Sequence, residues 1–481
     1  MKLGVKHQNQ NPVVRADFSG GLNTTANMDG IAENQLSAAV NVEIDHATGR
    51  LKTVAGTADV LHFNNIFAAA YDEINKKLLI VTNDKRVFAA ELNSRRVSGV
   101  LGTLSGDLYP ITTSWEDGLL FASGGKLQYY NGSSLVTIAD SPIATSVYVR
   151  AGRILVTSTD TVYFSGVGDE TNWTEDTNDD SSSKFLEVGY KDGGKIVGMV
   201  NLSSDVLFVK DNRRLYRLNG EFPEWSVSEV SRNIEVSGRM SICSVADSVF
   251  VLGRNELQNV QTTNAYGDMK PQNVATLIAQ EIQSLPDNAT LRHMPALQQV
   301  WAISGQIVLV LDLVTQSWYK RKFNSNVVDA ISIGDEVLII KGDRVSRLEA
   351  SSFDDAGVTL RWRWQAQRMI SQHEYLLKRT QVLFVPINVG EISGEIDVGG
   401  VVIPLPPKRI NASRQRYLSP PDERIYNNRE PIYDNPRPIF SRTTVLAESK
   451  NVYRNKFLDI GGFGATGGII FNSIVLDVAE V

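Results

Sequence analysis

Residues Val206–Gly220 read VLFVKDNRRLYRLNG, two short apolar runs separated by Asp211-Asn212. An apolar run, a dipeptide that tolerates tight turns and a second run carrying Leu215 and Leu218 read as a β-hairpin. An isolated two-stranded hairpin is marginally stable in water, so its apolar faces need cover.

The same pattern recurs along the chain. It appears as LLIVTNDKRVFAAEL from Leu78, LLFASGGKLQYYNG from Leu119 and ILVTSTDTVYFSG from Ile154. After the opening hairpin come VFVLGRNELQNVQT from Val249, VWAISGQIVLVLDL from Val300 and VLIIKGDRVSRLEA from Val337. The turns use Asn, Asp and Gly, which accept left-handed or Asx-turn backbone. Successive starts lie 41, 35, 52, 43, 51 and 37 residues apart. That spacing, about 43 on average, is the period of four-stranded propeller blades. A further apolar stretch precedes most copies, for example NIFAAAYD, ATSVYVRAG and VVDAISIGDE, and supplies an inner strand. EFPEWSVSEV and QSWYKRKF suit outer strands. Radial stacking buries both faces of each small sheet and leaves only short edges. A generic β-sandwich, or two, also carries turn signals every 8–12 residues, but not this longer period.

The fold class expected is therefore all-β: a β-propeller of about seven blades with one inserted helix, plus a C-terminal β-sandwich-like domain. The inserted helix is read in PQNVATLIAQEIQSLPD, where Val274, Leu277, Ile278, Ile282 and Leu285 have helical spacing between Pro271 and Pro286. AENQLSAAVNV, from Ala32, reads as a shorter helix. Beyond Ala350 the hairpin period stops. LRWRWQAQRMI puts Leu360, Trp362, Trp364 and Ala366 on one face and Arg361, Arg363, Gln365 and Gln367 on the other, a strand with one wet face. The expected domains are an extended N-terminal segment over 1–60 closing onto the propeller, a propeller over 61–352 and an all-β domain over 353–481.

Between strands of that last domain lies a Pro-, Arg- and Tyr-rich arm over 404–456. It holds 8 of the 16 prolines and 11 Lys or Arg against 5 Asp or Glu. So long an aperiodic stretch inside a compact domain is usually functional or disordered. Arg and Tyr are enriched in protein interfaces. The arm is read as a docking element, with Arg416, Tyr417, Arg424, Tyr426, Arg429, Tyr433, Arg437 and Arg442 as interface candidates. A solvated loop and a nucleic-acid contact are the competing readings.

Composition excludes several classes. Hydrophobic content of 42% and charged content of 21% are those of a globular protein, and the formal charge of −6 gives no overall basic excess for gripping nucleic acid. No run of about 18 apolar residues is present to span a membrane. The start, MKLGVKHQNQ, lacks the apolar centre of a secretory signal. The single cysteine, Cys243, sits in an alternating apolar stretch and reads as a small buried hydrophobe rather than a nucleophile.

Chemical motifs are weak. Gly462 to Gly467 formally match GxGxxG, but a strand-like segment follows where a phosphate-binding helix is needed, so the glycines read as a β-turn or bulge. Asp176, Asn178, Asp180 and Glu187 echo a calcium loop but have Ser181 at the glycine position, so a plain acidic loop is the preferred reading. The histidines, His7, His46, His62, His293 and His373, show no metal-ligand spacing. No catalytic, cofactor or metal residues are assigned, and no enzymatic activity is expected.

The order of features carries a resemblance. DFSGGLNTTANMDGIAENQLSAAVNVEIDHATGRLKTVAGT from Asp17 comes first, then GVGDETNW from Gly166 and the stretch Leu186–Gly220. PEWSVSEV, MSICSVADSVFVLGRNELQNV and the inserted helix follow. This series resembles the tail nozzle, or tail hub (packaged-DNA stabilisation), proteins of short-tailed bacteriophages over most of residues 15–350. The resemblance implies a structural virion protein of the tail, made in the host cytoplasm. Copies of itself, six in the family, would form a ring below the portal and its adaptor ring. It would meet tail fibres, tailspikes or needle proteins, help retain packaged DNA and conduct it at ejection without sequence-specific binding. Without the resemblance, the alternatives are a receptor- or glycan-binding propeller and a polysaccharide-acting propeller enzyme.

Overall fold

The computed structural model describes residues 12–480 except 203–204, 263–268, 387–392, 400, 405–444, 450–452 and 467. The chain forms two compact units, Thr57–Glu349, and Met1–Gly56 together with Ala350–Val481.

In the first unit, the described residues form seven antiparallel blades, most of four strands; the first carries a fifth short strand, Gly102–Thr103, and the sixth and seventh are joined through the long strand Ser317–Ile333. Their first strands are Ile66–Asp72, Ile111–Trp115, Ser146–Arg150, Ile196–Leu202, Ile242–Val245, Thr290–Met294 and residues 327–333. The recurring hairpins are the middle strands of these sheets. In the fourth, Val206 pairs with Leu218 and Val209 with Leu215, and Arg213 takes the turn at φ 68°. The hairpin at Val300 is drawn as one strand, Gln299–Asp312, which folds back at Gly305 (φ 56°). Its first half pairs with Thr290–Met294, its second half with 317–322, and the Leu313 N–H closes onto Gln298 O at 2.9 Å.

Apolar clusters fill the spaces between sheets. Leu79 and Val81 of the first sheet meet Leu119, Phe121 and Tyr130 of the second. Phe164 meets Phe208 and Leu218 farther round, and Leu207 and Val209 meet Val249 and Val251. Leu338, Ile340 and Val345 of the seventh sheet pack on Ile66, Leu78 and Ile80 of the first, closing the circle. Burying each such side chain contributes about 1.5–3 kcal/mol, which no single sheet realises alone. The last sheet takes its outer strand from residues 57–62. There Asp59 accepts hydrogen bonds from Ser346 Oγ at 2.8 Å and from an Arg344 guanidinium nitrogen at 3.1 Å. This is a seven-bladed β-propeller, with the ends of its chain locked into one blade.

The inserted helix is shorter than its periodicity implies: a 3₁₀ turn at Thr276–Ile278 followed by Ala279–Gln283. Pro271 lies in the outer strand Met269–Asn273, and the Val274 carbonyl and N–H are held by Trp318 Nε1 and Leu257 O. The backbone therefore stays extended to Val274. Ile278 and Ile282 are the buried face.

The second unit contains two sheets. One is built from Val13–Arg15, Val42–Asp45, Arg50–Thr53, Met369–Pro386, Val445–Ser449, Tyr453–Leu458 and Ile469–Glu480. The other includes Gln35–Val40, Trp362–Ala366, Ser393–Val398, Val401–Pro404 and Ile460–Thr466. Trp362 and Trp364 of the second sheet pack on Phe471 of the first at ring-centroid distances of 5.3 and 5.6 Å, giving a sandwich core. Leu360, Trp362, Trp364 and Ala366 are buried as their alternation implies.

Two expectations need correction. The N-terminal segment expected over 1–60 divides at Gly56: residues 57–62 join the propeller, whereas Val13–Arg15 pairs with the C-terminal Ile469–Glu480. The short helix expected near residue 35 is a strand, Gln35–Val40, parallel to Gly21–Leu22 and antiparallel to Trp362–Ala366. A register shift between Leu36 and Ala38 turns both Leu36 and Ala39 inward, and this bulge mimics helical i, i+3 spacing. The bulge expected in the glycine run is present: Gly461, Gly462 and Gly464 lie in the strand Ile460–Thr466, whose register against Ser393–Val398 shifts between Gly464 and Thr466. A Cβ at Gly462 would come within 2.7 Å of Trp364 Nε1 and 2.8 Å of Ile396 Cδ1, so glycine there makes room for the indole.

Candidate functional site

A charged residue buried within an otherwise apolar strand must have its charge met, so it marks a special position. Asp329, in VVDAISI, is such a residue, and its carboxylate is buried. It receives two hydrogen bonds from the Arg292 guanidinium, at 2.8 and 2.9 Å, and a short one from the Tyr109 hydroxyl. Its Oδ1 also accepts the Ala330 N–H at 2.8 Å. The second, sixth and seventh blades are thereby tied together at the axis.

Arg239, just before the fifth blade, adds a second tie. One terminal nitrogen donates to Tyr109 O at 3.1 Å and the other to Thr145 O, reaching the second and third blades. Burial pushes its pKa down to about 10. Burial, reinforced by Asp329, holds the Tyr109 phenol well above its ordinary value.

These groups border a cavity of about 420 Å³ lined by inner-strand residues of six blades. Tyr71, Ile111, Met199, Met240 and Ile331 give it apolar walls, and Arg239, Arg292, His293, Asp329 and Ser332 its polar groups. Burial lowers the His293 pKa, which favours the neutral ring. Cys243, in the fifth inner strand, is buried, and its thiol is pushed up to about 12. A thiol held protonated is a poor nucleophile.

The acidic loop is organised by a cation of the chain itself. The buried Arg153 donates to Ser165 O and Ser182 O, both at 2.6 Å, and to Asp180 O. Its guanidinium carbon lies 3.8 Å from the Phe222 ring centroid. Asp176 and Asp179 cap the N–H groups of Asn178 and Ser181, while Glu187 lies in the outer strand Lys184–Glu187. Among the described residues, no three His, Cys, Asp or Glu side chains gather as metal ligands. Millimolar calcium or a chelator is expected to move the melting temperature by less than about 1 °C, the loop already being held by a buried hydrogen-bonded cation. Arg153→Met should cost about 3 kcal/mol in denaturant unfolding, because three carbonyls lose their donors.

Arg416, Tyr417, Arg424, Tyr426, Arg429, Tyr433, Arg437 and Arg442 all lie outside the described residues. The strands on either side of that stretch, Val401–Pro404 and Val445–Ser449, belong to the sandwich unit. The axial residues Tyr109, Arg239, Arg292 and Asp329 were not singled out from the sequence. Their available signal was Asp329 inside an apolar strand.

No family model matches the chain, and no curated protein does. Solved structures similar to it include BamB from Moraxella catarrhalis, 11% identical with a TM-score of 0.40, over 64% of this chain and 92% of that one. YCF48 from Cyanidioschyzon merolae is 10% identical with a TM-score of 0.43, over 61% and 98%. The β-propeller domain of Cps50 (Swd1) from Myceliophteria thermophila is 10% identical with a TM-score of 0.42, over 62% and 99%. The assignment of the propeller rests on the seven sheets and their circular packing.

Proposed function

We propose that the chain is a structural subunit of a short-tailed phage tail, acting by assembly with its own copies and neighbouring tail proteins rather than by catalysis. The observation that carries this reading is the chain topology. Both ends of the polypeptide build one β-sandwich unit, and the propeller is inserted between them. The basic arm connects two strands of that unit, so the sandwich carries the segment richest in Arg and Tyr. Side chains of several blades are hydrogen-bonded to one another around the central cavity, and Asp329 on its lining is neutralised by Arg292. A DNA conduit would then run between copies rather than through a single propeller. A net charge of −6 suits a lumen that lets DNA slide, since each phosphate neutralised strengthens holding.

Light scattering of the purified chain, alone and with adaptor-bearing heads, tests the proposal. A ring of about six chain masses, free or on the particle, is the family expectation. A chain that stays monomeric with such particles present, or that turns over a polysaccharide, overturns it. Replacing Arg424, Arg429 and Arg437 together by Ala is expected to abolish assembly with unchanged circular dichroism. Unchanged assembly would remove the arm from the interface.

A further inference from the structure

The axial cavity holds one cation that the fold does not neutralise. Arg292 is paired with Asp329, whereas Arg239 contacts only the carbonyls of Tyr109 and Thr145. A guanidinium has five N–H donors, so most of this one's capacity is unused. Its Nε is buried without a partner, and no carboxylate among the described residues pairs with it. The guanidinium is half-buried, and its terminal nitrogens keep spare N–H donors beside a largely apolar lining, a setting that favours an anionic group. Around them the walls are apolar, with Met199 and Met240 able to adapt to a ligand's shape.

We propose that this cavity binds a small organic monocarboxylate, its carboxylate on the Arg239 guanidinium and its aryl or alkyl body against Tyr71, Ile111, Met199, Met240 and Ile331. One unpaired positive charge matches one negative charge. A phosphate dianion would leave a charge uncompensated against apolar walls, and neutral His293 does not supply a second cation. The cavity volume, about 420 Å³, is within the usual range for small-molecule sites. The site belongs to the propeller alone and does not depend on the assembly role.

Titration calorimetry of the full chain with 2-naphthoate, 2-naphthamide and inorganic phosphate tests it. Saturable one-site binding of naphthoate is expected, at least tenfold tighter than naphthamide and at least tenfold weakened by Arg239→Gln. No binding at millimolar naphthoate, equal binding of naphthamide, or unchanged binding by folded Arg239→Gln overturns the proposal. Phosphate binding more tightly than naphthoate makes this an inorganic-anion site and overturns the ligand class. Should Arg239→Gln fail to fold, Met240→Trp fills the cavity while keeping the charge. It must abolish naphthoate binding, and retained binding sinks the assignment.

Discussion

Asp329→Ala is expected to lower the unfolding free energy by about 2–4 kcal/mol, because it strips a partly buried cation of the buried carboxylate that pairs with it. Arg292 would keep the hydrogen bond to its neighbour's Leu291 O, and the Tyr109 hydroxyl would lose its acceptor. In a unit of this size the melting temperature should fall by about 6–12 °C in calorimetry. A second change, Arg292→Met, should recover much of the loss, since an apolar pair costs less than one uncompensated charge. Failure of the double variant to recover would show that the bidentate pair is not what joins these blades. The alkaline limb follows from Tyr109. Its folded pKa lies above that of the unfolded chain, so its contribution is complete below about pH 10 and is lost as pH rises further. Tyr109→Phe should flatten the stability profile above that pH.

The second large effect is expected in the fourth blade, at the end of the hairpin strand Asp205–Lys210. Lys210 is fully buried, and its Nζ donates to Asp192 Oδ1 and to Val188 O, both at 2.6 Å. Asp192 also accepts from the Gly194 N–H at 2.9 Å and the Tyr216 hydroxyl at 2.8 Å. Asp192→Ala leaves an ammonium in an apolar setting and should cost about 3–5 kcal/mol, measured by urea unfolding. Lys210→Met should cost less, because the remaining carboxylate keeps its other donors. Burial raises the Asp192 pKa, but hydrogen bonds from Lys210, Gly194, Asn212 and Tyr216 outweigh it and hold the carboxyl well below its ordinary value. A group lowered in this way stabilises the fold above about pH 4, and that contribution is lost as pH falls through its folded pKa. Asp192→Asn should therefore flatten the acid limb. A variant that keeps the wild-type acid profile would show that Asp192 does not drive it. Asp192 is bonded to Lys210, Gly194 and Tyr216 and Asp329 to Arg292, Tyr109 and Ala330, so the two losses should add.

The seven hairpins were legible because strand, turn and strand are local, and an apolar run broken by Asn, Asp or Gly identifies each one. Their recurrence near 43 residues implies radial stacking, and Trp362 and Trp364 showed which face of the C-terminal strand is buried. What stayed hidden depends on contacts between distant residues. The strand at Gln35–Val40 looks helical until its bulge against Trp362–Ala366 is known. The outer strand of the seventh blade comes from 57–62, nearly the whole propeller away in sequence. Tyr109 and Asp329 are 220 residues apart, yet their hydrogen bond ties two blades. Periodicity and turn chemistry are properties of neighbours along the chain, so the repeat and its class can be read from residue order. Closure of the ring, pairing of the N- and C-terminal strands and the meeting of Tyr109, Arg239, Arg292 and Asp329 join groups across hundreds of residues, and they become visible in the folded chain alone.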